Sequence, residues 1–374
     1  MNIMSPPPAA DLLFTSAYGE MLGGGQHSLL LLLHHLDRNR FRPHLAVPTG
    51  GELLNRAGAA GVHPFLFATP PIRRLHLPAV FAIARRLRAL RIRLVHADSP
   101  RQALYFGLAA KLCRLPLVWH VRVGDPDRCW VDRTLHLLAD RIIAVNGDIG
   151  ERFRRMGRPE KVRVVHNGAE IGHPPAAVER QAARARLAIP ATTLVVGTVG
   201  RLHPLKGQDR LITACAGLPA AGREDFRLVI VGAGDDGDFE RLKLIAGEAG
   251  IAERVVFTGR RDDVAALLPA FDIFALPTLF REGFSRVIAE AMAAGLPVVA
   301  TRLGGNREAV DHGRTGLLLD PDRLDEELGR VLTRLAGDAQ LRARLGITAR
   351  RHAESHFDIG RQVERIQEIY EELL

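Results

Sequence analysis

The sequence predicts an α/β protein built from two doubly wound domains, each with a parallel sheet covered by helices on both faces. Short apolar runs alternate with helical patterns in both halves of the chain. Its 374 residues suffice for two domains with separate cores. Residues 171–181 contain two prolines, interrupt this alternation and are interpreted as a linker. We therefore expect one domain over 1–172 and a second over 182–356, with an amphipathic helix at 359–374 that packs back on the first.

The apolar runs and helical patterns place the elements along the chain. In the first domain we expect strands at 11–16, 44–47, 94–97, 117–121, 141–145 and 162–166, with helices at 26–36, 78–91 and 102–112. In the second domain we expect strands at 194–199, 227–231, 255–258, 273–276, 298–300 and 316–319, with helices at 208–216, 238–249 and 285–294. Ligands of such sheets bind at the carboxyl ends of the strands, so two facing domains can hold two substrates in a cleft.

The composition excludes several classes of protein. Hydrophobic residues make up 47% and charged residues 25%, which is ordinary for a globular protein and unlike a disordered chain. The longest apolar runs, such as residues 29–33 and 79–84, are far shorter than the roughly 20 residues of a membrane-spanning helix. The N-terminus lacks the features of a signal peptide, so we expect a cytoplasmic protein. Cys113, Cys129 and Cys215 form no close pair, which indicates free thiols rather than disulfides or a zinc site.

The net charge of +9 is concentrated in the first half of the chain. Residues 1–172 contain 24 basic and 13 acidic side chains, and the remainder contains 27 and 29. Seven arginines fall within 21 residues: Arg73, Arg74, Arg85, Arg86, Arg88, Arg91 and Arg93. They suit the solvent face of an ordinary amphipathic helix, or peripheral contact with an anionic membrane that carries a lipid-linked acceptor. A second basic cluster comprises Arg152, Arg154, Arg155, Arg158, Lys161 and Arg163. Aromatic residues are only 5%, which disfavours nucleic-acid binding.

One glycine-rich turn resembles a dinucleotide site by its spacing. Gly232, Gly234 and Gly237 follow an expected strand, precede an expected helix and fit the pattern G-x-G-x-x-G. That fingerprint normally opens its domain, whereas here a complete strand–helix unit comes first. The following strand also lacks the acidic residue that would bind a ribose. We therefore favour a tight turn that needs glycine for packing over a nicotinamide site.

The turn after the first strand of the second domain favours an anionic ligand. Its sequence GRLHPLKG places Arg201 and Lys206 beside the start of a helix, where backbone N–H groups already favour anions. Lysine is rare in this chain, with only four examples, so Lys206 is more informative than a single arginine. A diphosphate would fit this turn, although two solvated surface cations remain the alternative.

A third segment combines two carboxylates with a helix start. Glu282 and Gly283 lie in a loop after the strand at 273–276, the helix begins near Ser285, and Glu290 lies in its second turn. Carboxylates accept hydrogen bonds from sugar hydroxyls, and a helix start offers N–H groups to an oxyanion. Glu290 sits in the otherwise apolar run IAEAMAAGLP, so it needs a partner.

These segments together resemble the retaining glycosyltransferases of family GT4 (glycosyl transferase group 1), which have the GT-B fold of two Rossmann-like domains facing a central cleft. The run EGFSRVIAEAMAAGLPVVATRLGGNREAV carries the paired-glutamate motif of that family. The turn GRLHPLKG resembles its phosphate-binding turn, and Gly23-Gly24-Gly25 its first glycine loop. His166-Asn167-Gly168 resembles a common signature at the boundary between the domains.

The resemblance implies that the second domain holds most of a nucleoside-diphosphate sugar. Arg201 and Lys206 would neutralise the diphosphate, and Glu290 would bind the ribose hydroxyls. Glu282 would hold the donor sugar and its phosphate together with the backbone amides of Gly283, Phe284 and Ser285. Gly259 and Arg260 would lie near the base.

In the first domain, the resemblance places Gly24 and Gly25 near the donor phosphates and the acceptor. His120 would point at the reaction centre, although a hydrogen-bonded histidine at the end of a strand is an equally favoured interpretation. The implied enzyme uses UDP- or GDP-sugars, retains the anomeric configuration and needs neither metal nor cofactor. Its acceptor would be a hydroxyl on a glycolipid or polysaccharide precursor for the cell envelope, with the protein at the inner face of the cytoplasmic membrane. The rival hypotheses are a sugar-nucleotide epimerase of the same fold, an NAD(P)-dependent oxidoreductase using Gly232–Gly237, and a non-enzymatic basic adaptor.

Overall fold

The computed structural model describes residues 9–71, 75–123 and 129–374. They form two compact units, one that runs to Asn167 and includes Ile359–Leu374, and another that spans Gly168–Asp358. The chain thus leaves the first unit five residues before the expected boundary at 172. Arg73 and Arg74, which belong to the first basic cluster, lie outside the described residues.

The first unit contains a parallel sheet of seven strands among its described residues. The strands are β1 (Ala10–Thr15), β2 (Phe41–Val47), β3 (His63–Leu66), β4 (Leu94–Ala97), β5 (Leu117–Val121), β6 (Arg141–Ala144) and β7 (Val162–Val164). The helices are α1 (Gly24–His35), α2 (Glu52–Ala59), α3 (Leu77–Ala89), α4 (Pro100–Leu112), α5 (Cys129–Leu138) and α6 (Gly147–Arg154). The strand order β3-β2-β1-β4-β5-β6-β7 reverses between β1 and β4, which is where doubly wound sheets bind ligands.

The second unit repeats this design with a parallel sheet of six strands among its described residues. The strands are β8 (Leu194–Val199), β9 (Phe226–Val231), β10 (Val255–Gly259), β11 (Ile273–Leu276), β12 (Val298–Thr301) and β13 (Gly316–Leu319). The helices are α7 (Ala177–Arg186), α8 (Gln208–Cys215), α9 (Asp236–Glu248), α10 (Val264–Leu267), α11 (Arg286–Ala293), α12 (Asn306–Ala309), α13 (Leu324–Gly337) and α14 (Ala339–His356). The order β10-β9-β8-β11-β12-β13 reverses between β8 and β11.

The last helix, α15 (Ile359–Glu371), belongs to the first unit. Its apolar stripe lies in the core of that unit, where Ile366 and Tyr370 are fully buried among side chains of α1 and β1. The stripe follows the spacing of an amphipathic helix, which explains why this segment forms a helix and which face it buries.

The predicted linker at 171–181 is wrong in its second half, because α7 begins at Ala177. Residues 177–186 are mostly alanine, arginine, glutamine and glutamate, which favour helices. Glu179 caps the helix by accepting a hydrogen bond from the Ala176 N–H at 2.7 Å. The prolines at 174 and 175 therefore precede a helix rather than continue a loop.

Candidate functional site

The candidate site of the second unit lies at the carboxyl ends of β8 and β11, the two strands that flank the reversal of strand order. The turn after β8 and the loop after β11 are joined by a hydrogen bond from the Leu279 N–H to the Leu205 carbonyl at 2.8 Å. Gly207 has a φ of 71°, and a Cβ there would lie 2.0 Å from the Pro277 carbonyl oxygen. Only glycine permits this close approach, which fixes one segment against the other.

Lys206 and Glu282, predicted from separate motifs, meet at this position. Lys206 Nζ lies 2.5 Å from Glu282 Oε1, and both side chains are largely buried, with exposures of 19% and 14%. Lys206 Nζ also lies 4.9 Å from the centre of the Phe280 ring. The structure therefore brings a cation and a carboxylate together where a phosphate and a sugar hydroxyl can bind side by side.

Arg201 lies exposed at the start of the same turn, and its backbone rather than its guanidinium holds the turn together. Its carbonyl oxygen accepts a hydrogen bond from Gln208 Nε2 at 3.0 Å, which ties the turn to the first residue of α8. Arg201 is not brought into the Lys206–Glu282 pair. Its role toward a diphosphate stays a prediction.

The start of α11 is held by a glycine pair that follows β12. The Gly305 N–H donates to the Glu282 carbonyl at 3.0 Å, and a Cβ at Gly305 would lie 2.1 Å from the Gly283 carbonyl oxygen. The Phe284 ring is buried against Phe357 with their centroids 5.2 Å apart, so its side chain anchors the loop. The predicted contribution of Phe284 to donor binding, like those of Gly283 and Ser285, comes from its backbone amide. It stays a prediction.

Glu290 has the partner that its apolar surroundings require. Arg286, one turn earlier in α11, donates from Nη1 to Glu290 Oε1 at 2.5 Å. Burial raises the pKa of the Glu290 carboxyl above its ordinary value; Arg286 opposes this rise, and the like charge of Glu170 adds to it. Glu290 also lines a cavity that includes His173 and Arg350. The Glu290 carboxylate thus forms an ion pair with Arg286 within the protein. Its predicted contact with the ribose stays a prediction.

Gly259 and Arg260, expected near the base, end the edge strand β10. Gly259 has a φ of 69° and its carbonyl accepts from the Gly232 N–H at 2.9 Å. Arg260 is exposed, and its guanidinium lies 3.6 Å from the Asp262 carboxylate. Both residues lie at the carboxyl edge of the sheet, where Gly259 contacts Gly232 and Arg260 contacts Asp262. Their place near the base stays a prediction.

Packing explains two of the three glycines of the dinucleotide-like turn, Gly232 and Gly234. Gly232 has a φ of 149°, and a Cβ there would lie 1.9 Å from the Gly200 carbonyl oxygen. A Cβ at Gly234 would lie 2.7 Å from the Leu202 Cβ, and the Leu202 N–H donates to the Ala233 carbonyl at 2.9 Å. The turn after β9 thus packs directly on the turn after β8, which supports the packing interpretation over a nicotinamide site.

In the first unit, Gly24 and Gly25 begin α1 near the carboxyl end of β1. A Cβ at Gly24 would meet no heavy atom within 4 Å, and one at Gly25 would lie 3.8 Å from Arg122 Cδ. Neither packing within this unit nor backbone strain therefore demands glycine at these two positions. The predicted contact of Gly24 and Gly25 with a ligand stays a prediction.

His120 lies within β5 and is fully buried. Its Nδ1 lies 3.2 Å from His96 Nε2 and 3.2 Å from Arg122 Nη2, so the hydrogen-bonded interpretation describes its surroundings. Burial lowers the pKa of His120 well below its ordinary value, with Arg122 adding to the effect. A histidine held neutral in this way is a hydrogen-bond donor or acceptor rather than a cation.

Sequence reasoning missed Arg122, which contacts both His120 and the edge of the glycine loop. Its position two residues after His120, at the end of a buried strand, was the signal that could have identified it. Asp98 was also missed, although it too lies just after the end of a buried strand, β4. Burial raises the pKa of its carboxyl to about 7, while Arg122 opposes the shift.

Across residues 9–71, 75–123 and 129–374, no group of three or more His, Cys, Asp or Glu side chains is arranged to hold a metal ion. Over the same residues, each helix is too short or too polar to cross a membrane.

Some exposed basic side chains form ion pairs with carboxylates of the same unit. In the second basic cluster, Arg155 lies 2.9 Å from the Glu151 carboxylate and Arg163 lies 3.3 Å from that of Glu372. On α3, by contrast, the exposed face carries Leu77, Phe81 and Arg85.

Comparisons with known proteins agree with this geometry. Residues 179–352 match the family of glycosyl transferases group 1, and residues 22–172 match glycosyltransferase family 4. The D-inositol 3-phosphate glycosyltransferase of Corynebacterium jeikeium is 37% identical over 223 residues, which are 57% of this chain and 52% of the relative. That of Salinispora arenicola is 37% identical over 255 residues, 63% of this chain and 55% of the relative. The chain spans about half the length of these curated relatives.

Among solved structures, HepE of Anabaena in complex with UDP-glucose aligns with a TM-score of 0.84 and 27% identity, over 97% of this chain and 100% of HepE. The UDP complex of HepE aligns with a TM-score of 0.86 and 26% identity. The two sequence families fall on the two structural units and together match most of the chain. The chain therefore belongs to the GT4-type, group 1 glycosyltransferases and has the GT-B fold.

Proposed function

We propose that the protein transfers a sugar from a nucleoside-diphosphate sugar to a hydroxyl acceptor, with retention of the anomeric configuration. The observation that carries the proposal is the Lys206–Glu282 pair at the carboxyl edge between β8 and β11. The likeness to HepE, solved with UDP and with UDP-glucose, supports a uridine donor as the first candidate.

The pair suits the two halves of such a donor. Lys206, next to the start of α8, offers positive charge to the diphosphate, while Glu282 accepts hydrogen bonds from sugar hydroxyls. In the reaction, the bond between the anomeric carbon and the diphosphate oxygen breaks and a bond to the acceptor oxygen forms on the same face. The acceptor proton passes to the departing diphosphate. Lys206 and Arg201 stabilise the negative charge that develops there, which is commonly the largest catalytic contribution.

A thermal-shift panel tests the donor class. UDP, GDP, UDP-glucose, a GDP-sugar, NAD and NADP are each added to the purified protein, followed by product analysis with candidate acceptors. We expect a uridine or guanosine diphosphate to raise the melting temperature, because a ligand that binds only the folded state stabilises it. Stabilisation by NAD or NADP alone would favour the oxidoreductase. Conversion of the donor sugar to its epimer without an acceptor would favour the epimerase.

The acceptor is proposed to be anionic or lipid-linked and reached at the inner face of the cytoplasmic membrane. The support is the exposed face of α3, where Leu77 and Phe81 precede a run of arginines. Flotation with liposomes of anionic lipid tests this. We expect binding at low salt that weakens in Phe81→Asp and Arg85→Gln variants, because both apolar contact and charge contribute. Absence of binding at low salt would overturn the membrane proposal.

A further inference from the structure

Arg122 occupies a distinctive place in the first unit, just after β5 and beside the glycine loop. Its Nη1 donates to Asn167 Oδ1 at 3.2 Å, and its Nη2 donates to His120 Nδ1 at 3.2 Å. Its Cδ would be 3.8 Å from a Cβ at Gly25, and no heavy atom would contact a Cβ at Gly24 within 4 Å. Arg122 therefore lies at the carboxyl edge of the sheet, with its side-chain stem beside the glycine loop.

A directed chain of hydrogen bonds ends at this guanidinium. A guanidinium only donates, so His120 Nδ1 is an acceptor. His96 Nε2, 3.2 Å from the same Nδ1, must then carry a hydrogen, which leaves His96 Nδ1 to accept from the Tyr370 hydroxyl at 2.7 Å. Burial lowers the pKa of His96 to about 3 and that of His120 well below its ordinary value, so both rings are neutral near pH 7.

The charge of Arg122 is poorly compensated by the residues that the structure describes. Both hydrogen bonds from its terminal nitrogens go to neutral acceptors, and its Nε is buried without a hydrogen-bond partner. Asp98 is the carboxyl that stabilises the Arg122 charge most, yet burial raises the pKa of Asp98 to about 7, so it is only partly ionised at neutral pH. A partly buried cation without a full counter-charge is unfavourable, and an anionic ligand would supply that charge.

We propose that Arg122 binds a phosphoryl oxyanion at the carboxyl edge of the first sheet. In this proposal, Tyr370, His96 and His120 are positioning residues that hold its guanidinium in place. The inference rests on the proposed function for the origin of the phosphoryl group, which belongs either to the donor diphosphate or to a phosphorylated acceptor. The chemistry is the same in both cases, since a guanidinium binds phosphate through paired N–H groups.

Calorimetric titration of the full-length protein separates the two origins. The probes are UDP for the donor, inositol 3-phosphate with free inositol as its control for the acceptor, and inorganic phosphate for the bare anion. The variants are Arg122→Gln and, in case that variant does not fold, Arg122→Lys, with Arg133→Gln on the exposed face of α5 as the matched loss of charge. We expect Arg122→Gln to weaken at least one phosphorylated probe by about tenfold or more, and Arg122→Lys by less. Arg133→Gln should bind like the wild type.

Each outcome decides the proposal. Weaker binding of UDP alone assigns Arg122 to the donor, and weaker binding of inositol 3-phosphate alone assigns it to the acceptor. Unchanged binding of all phosphorylated probes in a folded Arg122 variant overturns the anion site, as does a wild type that binds none of them. A wild type without transferase turnover whose phosphate binding still depends on Arg122 refutes the proposed function alone.

A separate measurement tests whether Tyr370 positions the Arg122 guanidinium. Tyr370→Phe keeps the ring and removes only the hydroxyl that donates to His96 Nδ1. We expect a Kd for the Arg122-dependent probe that rises about threefold, with kcat at saturating donor unchanged, because one neutral hydrogen bond is lost. A lower melting temperature with an unchanged Kd would show a structural role only and would overturn the positioning claim.

Discussion

At the scale of single residues, the Lys206–Glu282 pair is the proposed donor-binding centre of the second unit. Its two side chains are mostly buried and lie 2.5 Å apart, so each charge compensates the other. Removing one partner leaves an unpaired charge in a partly desolvated position, which is unfavourable. A donor that binds here exchanges this internal partner for a phosphate on one side and sugar hydroxyls on the other.

Substitution of either member should therefore remove most turnover while the protein stays folded. We expect Lys206→Ala and Glu282→Ala each to lower kcat by about 100-fold or more, in the range seen when a charge-stabilising group is lost. Initial rates of nucleoside diphosphate release measure this, and circular dichroism checks folding. Lys243→Ala is the matched control, because Lys243 forms an exposed pair with Glu240 at 3.4 Å. Wild-type rates in both site variants would refute the site assignment.

Asp98 gives a pH dependence with a definite sign. Burial raises the pKa of its carboxyl from 3.8 to about 7, so the folded state binds the proton more tightly than the unfolded state does. The stabilisation is complete below the unfolded pKa and is lost as the pH rises toward 7. The free energy of unfolding of the wild type relative to Asp98→Asn should therefore fall between pH 4 and pH 7, by at most about 4 kcal/mol.

The comparison uses the difference in free energy of unfolding between wild type and Asp98→Asn, because the buried His96 makes the stability of both proteins depend on pH in the opposite direction. Its pKa is lowered to about 3, so its contribution is lost as the pH falls from its unfolded value. Urea unfolding of wild type and Asp98→Asn at pH 4.5, 6.0 and 7.5 gives the comparison. A difference that is constant or that grows with pH would contradict the assigned protonation of Asp98.

At the scale of elements, the turns at the carboxyl edge of the second sheet support one another through glycine. Gly232 is the most demanding case, since a Cβ there would lie 1.9 Å from a backbone carbonyl oxygen. Gly232→Ala should lower the free energy of unfolding by about 2–4 kcal/mol, because both its φ and the close contact oppose a side chain. Gly237, whose Cβ would lie 3.4 Å from Asp235 Oδ1, is the control, and Gly237→Ala should leave stability nearly unchanged. Urea unfolding tests both, and equal stability of the two variants would contradict the packing explanation.

The elements show which parts of the fold the sequence can predict. Five buried strands, β4, β5, β8, β11 and β13, were predicted with their exact bounds, because most of their residues are apolar. The bounds of other strands, such as β2 and β7, were displaced by up to three residues. The edge strand β3 was missed: three of its four residues are exposed, and it begins with a histidine and a proline. Helix α7 was mistaken for linker, because two nearby prolines outweighed the helix-forming residues that follow.

Only the site residues that belong to a local sequence motif could be predicted. Lys206 and Glu282 were identified from two local motifs, and their contact follows from the adjacency of β8 and β11. The group around Arg122 could not be predicted, because it joins β4, β5 and a tyrosine 274 residues beyond His96. Such contacts depend on the packing of distant elements, which a local pattern does not encode.

At the scale of the whole molecule, the last 16 residues complete the core of the first unit. Ile359, Val363, Ile366 and Ile369 are buried there, and Tyr370 bonds to His96. A chain that ends after Asp358 should lose the cooperative unfolding of the first unit while the second remains folded, because large apolar side chains lose their cover. Hydrogen–deuterium exchange measures the two units separately. Wild-type protection of β1 and β4 in the shortened chain would contradict this dependence.

The most direct test of the central claim is hydrogen–deuterium exchange of the intact protein with and without UDP. Binding of the diphosphate between β8 and β11 predicts added protection in residues 200–207 and 279–290 of the wild type, and its loss in Lys206→Ala. Protection that is absent from both segments with UDP, or that appears at residues 232–237 with NAD instead, would contradict the account.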